Sequence, residues 1–329
     1  MRLLLLCVLV ALLAPAAAGA TDRVAAFYYP WYGTPGADGA FAHWQQRGHA
    51  PPLDIASNYW PARGVYSSSN RLVLGSQMTE IRRAGISEIV VSWWGRESAE
   101  NARLPEVIAA ARAQHLVVSV HLEPYQGRTV ASTQADILYL HALGIWTFYL
   151  YRPTDLPLAD WAAMNDALPE DVRVLAQTGL VGQALTGHFD GVYTYDVYTY
   201  GAELFPRLCR QAHAVGLLCV PSVGPGYDAR RASGDPRVKP RRDGSTYDAM
   251  WQSAIAAHAD AVTITSYNEW HEGTQIEPAV ARRGYESYDG SWGLTGAAAS
   301  DSYLNRTASW SALYTIGVRL RRGIGVLSA

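Results

Sequence analysis

Eight short apolar segments alternate with amphipathic helical patterns along the chain, and this alternation constrains the fold more than any other feature. The predicted strands are Val24–Tyr29, Glu88–Trp93, Leu116–Leu122, Trp146–Tyr151, Arg173–Gln177, Gly191–Tyr195, Leu217–Ser222 and Ala261–Tyr267. The predicted helices are Leu74–Arg83, Leu104–Gln114, Ser132–Ala142, Leu158–Ala167, Ala202–Val215, Thr246–Ala257 and Ser302–Arg321. In a chain of 329 residues, this alternation predicts an α/β fold, a single (β/α)8 barrel. A doubly wound sheet is the alternative, but no glycine-rich phosphate-binding motif follows the first strand.

The first twenty residues have the pattern of a secretory signal peptide. Arg2 is followed by the apolar run Leu3–Leu13 and then by small residues up to Ala20. A membrane anchor would need about 20 uninterrupted apolar residues, and Pro15 interrupts this run. We therefore expect a signal peptide at residues 1–20, a catalytic barrel at 21–329, and a secreted or periplasmic protein with no membrane segment after cleavage.

Composition narrows the class of ligand. The formal net charge of −2 gives no reason to expect nucleic acid or an anionic membrane surface as a partner. Eleven Trp and twenty Tyr stand against five Phe, so the chain favours aromatic rings that carry a polar group. That preference suits a groove that stacks on sugar rings and hydrogen-bonds their hydroxyls, and it equally suits a well-satisfied core.

Polar and aromatic residues follow the ends of most predicted strands. In a (β/α)8 barrel the active site lies at the carboxyl ends of the strands, so these side chains should share one rim. The richest segment is "SYNEWHEGTQIEPA", residues 266–279, after the eighth strand. The other candidates for this rim are Tyr29, Tyr32, Trp94, His121, Glu123, Tyr125, Tyr193 and Tyr195.

Glu269 and Glu272 are the candidate catalytic pair. They are three residues apart, a spacing that places both on one face of a helical turn. Two neighbouring carboxyls tend to separate their pKa values, as glycoside hydrolysis requires. Glu123 is a third carboxylate at the same rim. Helix capping or a salt bridge is the structural alternative for each of the three.

Other hydrolytic chemistries fit the sequence less well. The zinc motif H-E-x-x-H is absent, and no set of three ligands with metal-site spacing emerges around His271 or His121. A serine hydrolase of the α/β class would carry G-x-S-x-G, which is also absent. We therefore expect no metal and no other cofactor.

Two long connections and two cysteines leave alternatives open. The connection from Gly33 to Val73 should fold over the pocket as a lid. The arginine-rich connection from Val223 to Gly244 is read as a solvated loop, with contact to an anionic or phosphorylated glycan as the alternative.

Cys209 and Cys219 could form a disulfide, but two buried thiols are the favoured interpretation.

Six motifs in order along the chain are similar to those of glycoside hydrolase family 99, the endo-α-mannosidases and bacterial endo-α-1,2-mannanases. They are "FYYPWYG", "HW" at His43-Trp44, "HLEPY", "FDGVYTY", "PSVGPGY" and "SYNEWHEGTQIEPA", and they span residues 27–279. The resemblance implies a retaining, endo-acting glycosidase on a (β/α)8 barrel that needs no metal.

The resemblance also implies roles for individual residues. Glu269 would assist the 2-hydroxyl of the sugar, which attacks the anomeric carbon and forms a 1,2-anhydro sugar. Glu272 would protonate the leaving oxygen and then activate water. Glu123, Tyr193, Tyr195 and Asn268 would hold the sugar. The complete set of expected substrate-binding residues is Tyr29, Tyr32, His43, Tyr66, Trp94, His121, Glu123, Tyr125, Tyr193, Tyr195 and Asn268.

Trp94 bears on the substrate. Family members that act on glucosylated mannose carry Tyr at the matching position, whereas bacterial mannanases resemble this chain in carrying Trp. The expected function is cleavage of internal α-1,2 linkages in α-mannan or high-mannose glycans by a monomer. A retaining α-glycosidase acting on an α-glucan or a surface polysaccharide is the alternative among enzymes. A non-catalytic carbohydrate-binding barrel is the alternative from another class.

Overall fold

A computed structural model describes residues 23–327 of the chain, with side chains described as far as residue 320. The expected signal peptide therefore lies outside the described residues. All eight expected strands are present, two with the predicted bounds and six with ends shifted by a few residues. They are β1 Val24–Tyr28, β2 Glu88–Trp93, β3 Val117–Leu122, β4 Thr147–Leu150, β5 Arg173–Gln177, β6 Gly191–Tyr193, β7 in two segments, Leu218–Val220 and Ser222–Val223, and β8 Val262–Ile264.

The eight strands are parallel and close into a barrel. Each pairs with the next along the chain, and β8 returns to β1 through the register Val24↔Val262. The seventh strand is divided at Pro221, which has no N–H to donate. Its first segment pairs with β6 and its second with β8, so the break lies where the ladder passes from one neighbour to the other. The predicted (β/α)8 barrel is confirmed.

Eight helices, one after each strand, form the outer layer, and two short helices, Pro35–Asp38 and Gly296–Ser300, lie in the connections after β1 and β8. The eight outer helices are α1 Arg71–Arg83, α2 Ala99–Ala113, α3 Val130–Ala142, α4 Leu158–Asp166, α5 Val181–Thr186, α6 Phe205–His213, α7 Ser245–Ala256 and α8 Ser302–Leu327. Side-chain caps fix several starts, such as Asn70, whose Oδ1 accepts from the N–H of Leu72 at 2.9 Å. Helix α5 was not predicted, because six residues are too few to show a helical period. None of the described helices is both long and apolar enough to cross a membrane.

The predicted helix Ala202–Val215 is two elements. Ala202–Leu204 forms a 3-10 turn, and α6 begins at Phe205 with Pro206 in its first turn. Proline is tolerated there because its missing N–H would have no partner within the helix.

Aromatic rings fill much of the barrel interior. Phe27, Tyr149 and Tyr193 pack together inside the strands, and the rings of Tyr149 and Tyr193 meet edge to face at 5.1 Å. A larger apolar layer packs between the strands and the outer helices. Tyrosine therefore serves the core as well as the rim, which accounts for part of its excess over phenylalanine.

Cys209 of α6 and Cys219 of β7 form a disulfide bond, and both residues are completely buried. The interpretation of these residues as two free thiols is wrong. The helix packs directly against the strand that follows it, and the two Cα atoms lie 5.0 Å apart, within the range that a disulfide can span.

The long connection after β1 packs against the rest of the barrel through buried residues. Trp44 is completely buried, and its Nε1 donates to the carbonyl of Tyr66 at 2.8 Å. Farther along, the short strand Trp60–Pro61 pairs antiparallel with Ala279–Val280 from the connection after β8. The segment predicted to be a lid thus forms part of the wall of the site and joins the first and last strand–helix units.

Candidate active site

The segment that follows β8 forms a tight loop at the carboxyl end of the barrel. The N–H of Ser266 donates to the carbonyl of Thr274 at 2.9 Å, and the N–H of Ile276 donates back to the carbonyl of Ser266 at 2.9 Å. Gly273 has a φ of +62°, and a Cβ there would lie 3.1 Å from the backbone oxygen of Asp228. Glycine is therefore favoured at this position, because a side chain would be strained by the positive φ and crowded by the backbone of Asp228. Residues 266–277 are called the catalytic loop below.

Glu269 is buried in the catalytic loop and held by backbone groups. Its own N–H donates to Ser266 Oγ at 2.8 Å, and its Oε1 accepts from the N–H of His271 at 3.0 Å. Burial raises the pKa of Glu269 well above its ordinary value, and the neighbouring charge of Glu272 raises it further. The carboxylate is therefore fixed in position and readily accepts a proton.

Glu272 lies beside it and is more open to solvent. Its Oε2 accepts from the hydroxyl of Tyr195 at 3.3 Å, and its backbone carbonyl accepts from the N–H of Asp228 at 2.7 Å. Burial of the carboxyl, followed by the charge of Asp196, raises the pKa of Glu272 to about 7. The two glutamates interact strongly, so the pair shares protons and retains one near neutral pH.

The end of β1 anchors the loop from the other side. The N–H of Tyr29 donates to Asn268 Oδ1 at 2.8 Å, and Asn268 Nδ2 donates back to the carbonyl of Tyr29 at 3.0 Å. The hydroxyl of Tyr32 bridges the loop, since it donates to the carbonyl of Asn268 and accepts from the N–H of Trp270. The hydroxyls of Tyr29 and Tyr195 also meet, which connects β1 to the residue that contacts Glu272.

A second polar group comes from the ends of β2 and β3. Ser92 Oγ donates to Glu123 Oε1 at 2.8 Å, and Trp94 Nε1 donates to Ser92 Oγ at 3.2 Å. His121 lies between this group and β6, with Nδ1 2.9 Å from Glu123 Oε1 and Nε2 2.9 Å from the hydroxyl of Tyr193. The charge of Glu123 raises the pKa of both Glu269 and Glu272. The structure thus brings the three predicted carboxylates within electrostatic reach of one another.

Trp94 is 37% exposed although its neighbours on β2 are buried. The indole N–H is fixed by Ser92, so one edge of the ring is held and the rest remains open. Such a ring can stack on an apolar sugar face without rearranging.

Glu277 is the functional residue that the motif contained and the sequence reasoning left without a role. It is completely buried, and its carboxylate accepts four hydrogen bonds at 2.7 to 2.8 Å. The donors are Arg63, Tyr66, Gln77 and Trp270. Tyr66 also lies 3.3 Å from Asn268 Nδ2. The contacts of Tyr66 therefore support the catalytic loop from below, and its predicted contact with substrate stays a prediction.

Two histidines stack beside the carboxylates. The ring of His43 lies parallel to Trp31 at 4.3 Å and close to parallel with His271 at 5.6 Å. Burial lowers the pKa of His43 to about 4 and that of His271 to about 3. Both imidazoles are therefore neutral at neutral pH and leave proton transfer to the glutamates.

Tyr125 differs from the other predicted residues. Its hydroxyl donates to Asp136 Oδ2 at 2.6 Å and lies 2.9 Å from Ser132 Oγ, both on α3. Its ring covers Gly95, where a Cβ would lie 3.4 Å from the ring. These contacts place Tyr125 in the joint between β2 and α3, and none of them connects it with Glu269 or Glu272.

The arginine-rich connection contains an arginine, Arg241, that is enclosed by other parts of the chain. The Nη2 of Arg241 donates to the carbonyls of Gly273 at 2.9 Å and Gln275 at 2.7 Å. Its guanidinium lies over three aromatic rings, at 4.7 Å from Tyr59, 4.8 Å from Tyr288 and 4.5 Å from Tyr303. The interpretation as a solvated loop is wrong for Arg241, because this side chain holds the backbone that directly follows Glu272.

Other arginines of this connection form ion pairs with nearby carboxylates. These pairs are Arg230 with Asp228, Arg231 with Asp54 and Arg237 with Asp235. The paired guanidinium groups are not free to bind an anionic glycan without losing these contacts. Within residues 23–327, no group of three or more His, Cys, Asp or Glu side chains could hold a metal ion.

Comparison with known proteins gives a consistent result. The model of glycosyl hydrolase family 99 matches residues 20–159 and 173–316. The glycoprotein endo-alpha-1,2-mannosidase-like protein of Danio rerio is 32% identical over 318 residues, which covers 78% of this chain and 71% of that protein. The glycoprotein endo-alpha-1,2-mannosidase of Mus musculus is 30% identical over 316 residues, covering 78% and 68%. The GH99 endo-alpha-mannosidase from Bacteroides thetaiotaomicron superposes with a TM-score of 0.81 at 28% identity, over 90% of this chain and 98% of that one.

Proposed function

Because the chain belongs to glycosyl hydrolase family 99 and is a glycoside hydrolase, we propose that it is a secreted, endo-acting α-mannosidase that cleaves internal α-1,2 linkages. The observation that carries this proposal is the pair Glu269 and Glu272, one buried and fixed, the other more open and with a pKa of about 7. The substrate is α-mannan or a high-mannose glycan.

The two carboxyls divide the work of a retaining reaction. In the first step Glu269 takes the proton of the sugar 2-hydroxyl, and the 2-oxygen forms a bond to the anomeric carbon. Glu272 gives its proton to the leaving oxygen as the glycosidic bond breaks, which leaves a 1,2-anhydro sugar. In the second step Glu272 takes a proton from water, the water oxygen attacks the anomeric carbon, and Glu269 returns its proton to the 2-oxygen. Two inversions at one carbon give net retention.

The surroundings of each carboxyl suit its role. The N–H of His271 fixes the carboxylate of Glu269 in position. A fixed position suits a base that must contact one particular hydroxyl of the sugar ring. Glu272 alternates between acid and base, and a pKa of about 7 lets it hold or release a proton near neutral pH. Glu123, held by Ser92, leaves its second oxygen for the sugar hydroxyls.

Trp94 favours binding of mannose rather than glucose at the position next to the reacting sugar. Its ring is held at one edge by Ser92 and exposed elsewhere. A rigid aromatic face can stack on an apolar face of the neighbouring sugar, and the resemblance to bacterial mannanases that carry Trp at this position favours mannose there. On this proposal, Trp94→Tyr relaxes the discrimination between mannose and glucose at that position.

Export rests on two separate observations. The first twenty residues have the composition of a signal peptide. The Cys209–Cys219 disulfide is of the kind that forms in oxidising compartments and is rare in the cytosol.

Product analysis tests the function. Wild type is incubated with α-1,2-branched mannan and with a glucosylated mannose glycan, beside Glu272→Gln and the control Glu106→Gln, an exposed residue of α2. We expect wild type and the control to release disaccharide from mannan and Glu272→Gln to release none. Cleavage of the glucosylated glycan alone would contradict the argument from Trp94. Binding of mannan without any release would identify a carbohydrate-binding barrel instead.

The anhydro-sugar step has its own test. A substrate whose reacting mannose lacks the 2-hydroxyl has no internal nucleophile, so wild type should not cleave it. An enzyme in which Glu269 attacks carbon directly would still cleave this 2-deoxy substrate and form a covalent intermediate. Turnover of the 2-deoxy substrate at a rate near that of the parent would exclude the anhydro-sugar route.

A further inference from the structure

A groove of about 680 Å³ lies on the same face of the barrel, between the loops that follow β4, β5 and β6. It contains neither of the catalytic glutamates. Its volume falls within the range of about 300–1,000 Å³ that small-molecule sites occupy. Its walls include Thr154, Gln177, Thr178, Gln183, Tyr200 and Arg207.

The lining suits a neutral polyhydroxyl ligand. Amide and hydroxyl groups predominate, and each can both donate and accept hydrogen bonds. Two charged residues of opposite sign, Glu203 and Arg207, line the groove. The groove therefore has no net charge that would select an anion. The ring of Tyr200 covers Gly179, where a Cβ would lie 2.9 Å from it, so glycine gives this ring its place in the wall.

A single turn connects the groove with the active site. Asp196 raises the pKa of Glu272, so its charge lies within electrostatic reach of that carboxyl. The same side chain accepts from the N–H groups of Tyr198 and Thr199, and its backbone carbonyl accepts from the N–H of Tyr200 at 2.9 Å. Thr199 and Tyr200 line the groove, so the wall begins three residues after the neighbour of Glu272.

The direction of the substrate follows from the proton donor. Glu272 protonates the leaving oxygen, so the leaving part of the chain extends from the Glu272 side of the site. Trp94 and Glu123 follow β2 and β3. They lie on the side of the site that binds the sugars that stay with the reacting mannose after the linkage breaks. The loops after β5 and β6 are on the opposite side of the barrel, where the leaving chain would pass.

We infer that this groove is a distant binding site for the leaving-group side of a long, neutral, α-linked mannose chain. The inference rests on the proposed function and adds a preference for polymer over short oligosaccharides. Contacts in the groove would hold a chain many sugars long and would not touch a tetrasaccharide bound across the catalytic pair.

The test compares two substrates across groove variants. Thr154→Trp fills the groove, and Gln177→Ala and Arg207→Ala remove hydrogen-bonding groups from it. Arg210→Ala is the matched control, since Arg210 is exposed on the same helix α6 but does not line the groove. kcat/KM is measured on long-chain α-mannan and on an α-linked mannotetraose, and thermal melting confirms that each variant is folded.

We expect the groove variants to lose about tenfold in kcat/KM on mannan, the factor that about 1.4 kcal/mol of lost contact gives. Activity on the tetrasaccharide and both activities of Arg210→Ala should match wild type. An unchanged ratio of mannan to tetrasaccharide activity in all three variants would contradict the inferred binding of substrate in the groove. The proposed function would remain intact.

A second measurement keeps the inference testable if wild type cleaves neither substrate. Retention of Glu272→Gln on mannan embedded in a native gel reports binding without turnover. Weaker retention when Thr154→Trp is added would support the groove although the proposed reaction had failed. Equal retention, or none in either protein, would overturn it.

Discussion

Tyr195→Phe should move the alkaline limb of the pH–rate profile to higher pH. The hydroxyl of Tyr195 donates to Glu272 and stabilises its ionised form, so it lowers the pKa of that carboxyl. Removing the hydroxyl raises the pKa, and the acid then stays protonated to higher pH. The variant loses this hydrogen bond in every state in which Glu272 is ionised. The pKa of Glu272 therefore rises whichever of the two glutamates holds the proton that they share.

The size of the shift follows from the length of the bond. At 3.3 Å the contact is longer than the usual O–H···O range of about 2.5–3.0 Å. A hydrogen bond to a charged group contributes about 1.5–3 kcal/mol, so a stretched one should contribute about 1 kcal/mol. Since one pKa unit corresponds to about 1.36 kcal/mol, the limb should move up by about 0.7 of a pH unit. In wild type the decline should be centred near the pKa of Glu272, about 7.

The assay is kcat/KM on mannotetraose between pH 4 and pH 9. Tyr149→Phe is the control, because Tyr149 lies in the same aromatic layer and makes no hydrogen bond with Glu272. Its alkaline limb should coincide with that of wild type, whatever the change in maximum rate of either variant. A limb that stays in place in Tyr195→Phe, or moves to lower pH, would refute the role assigned to this hydroxyl.

Three further outcomes concern stability, each measured as the free energy of unfolding in urea. Arg63→Met should cost about 3–5 kcal/mol, because it leaves the buried carboxylate of Glu277 without its cation. Arg241→Met should cost less, about 1–3 kcal/mol, because its partners are two carbonyls and no buried carboxylate is left behind; an equal or larger loss than for Arg63→Met would contradict this accounting. Reducing the Cys209–Cys219 bond, which closes a loop with a sequence separation of 10, should cost about 3 kcal/mol, and an unchanged unfolding curve in reductant would show that the bond does not contribute.

The strands and the face that carries the site could be predicted from the sequence. Apolar runs of five to seven residues, separated by helical patterns, define each β/α unit, and barrel geometry places the strand ends on one rim. The local register of motifs such as "NEWHEG" then places Glu269 and Glu272 together. These features depend on residues that are neighbours along the chain.

The features that the sequence did not reveal depend on how separate segments pack against one another. Arg241 reads as one member of a charged run, and the three tyrosine rings that enclose it come from two other segments. Glu277 reads as a carboxylate at the end of a motif, whereas its cation, Arg63, is 214 residues away. The disulfide pairing depended on how α6 packs against β7. The hydroxyl of Tyr125 contacts Asp136 of α3, which its motif does not indicate, and its predicted contact with substrate stays a prediction.

The pairing of the first and last β/α units has a consequence for biosynthesis. Tyr29 and Asn268, which hold each other by two hydrogen bonds, are 239 residues apart. Contacts of such long separation form slowly, after most local structure is in place. A nascent chain that has not yet released β8 from the ribosome has an open barrel, with the edges of β1 and β7 unpaired and exposed to other chains. The catalytic loop directly follows β8, so hydrolytic activity can begin only after this segment has been released and the barrel has closed.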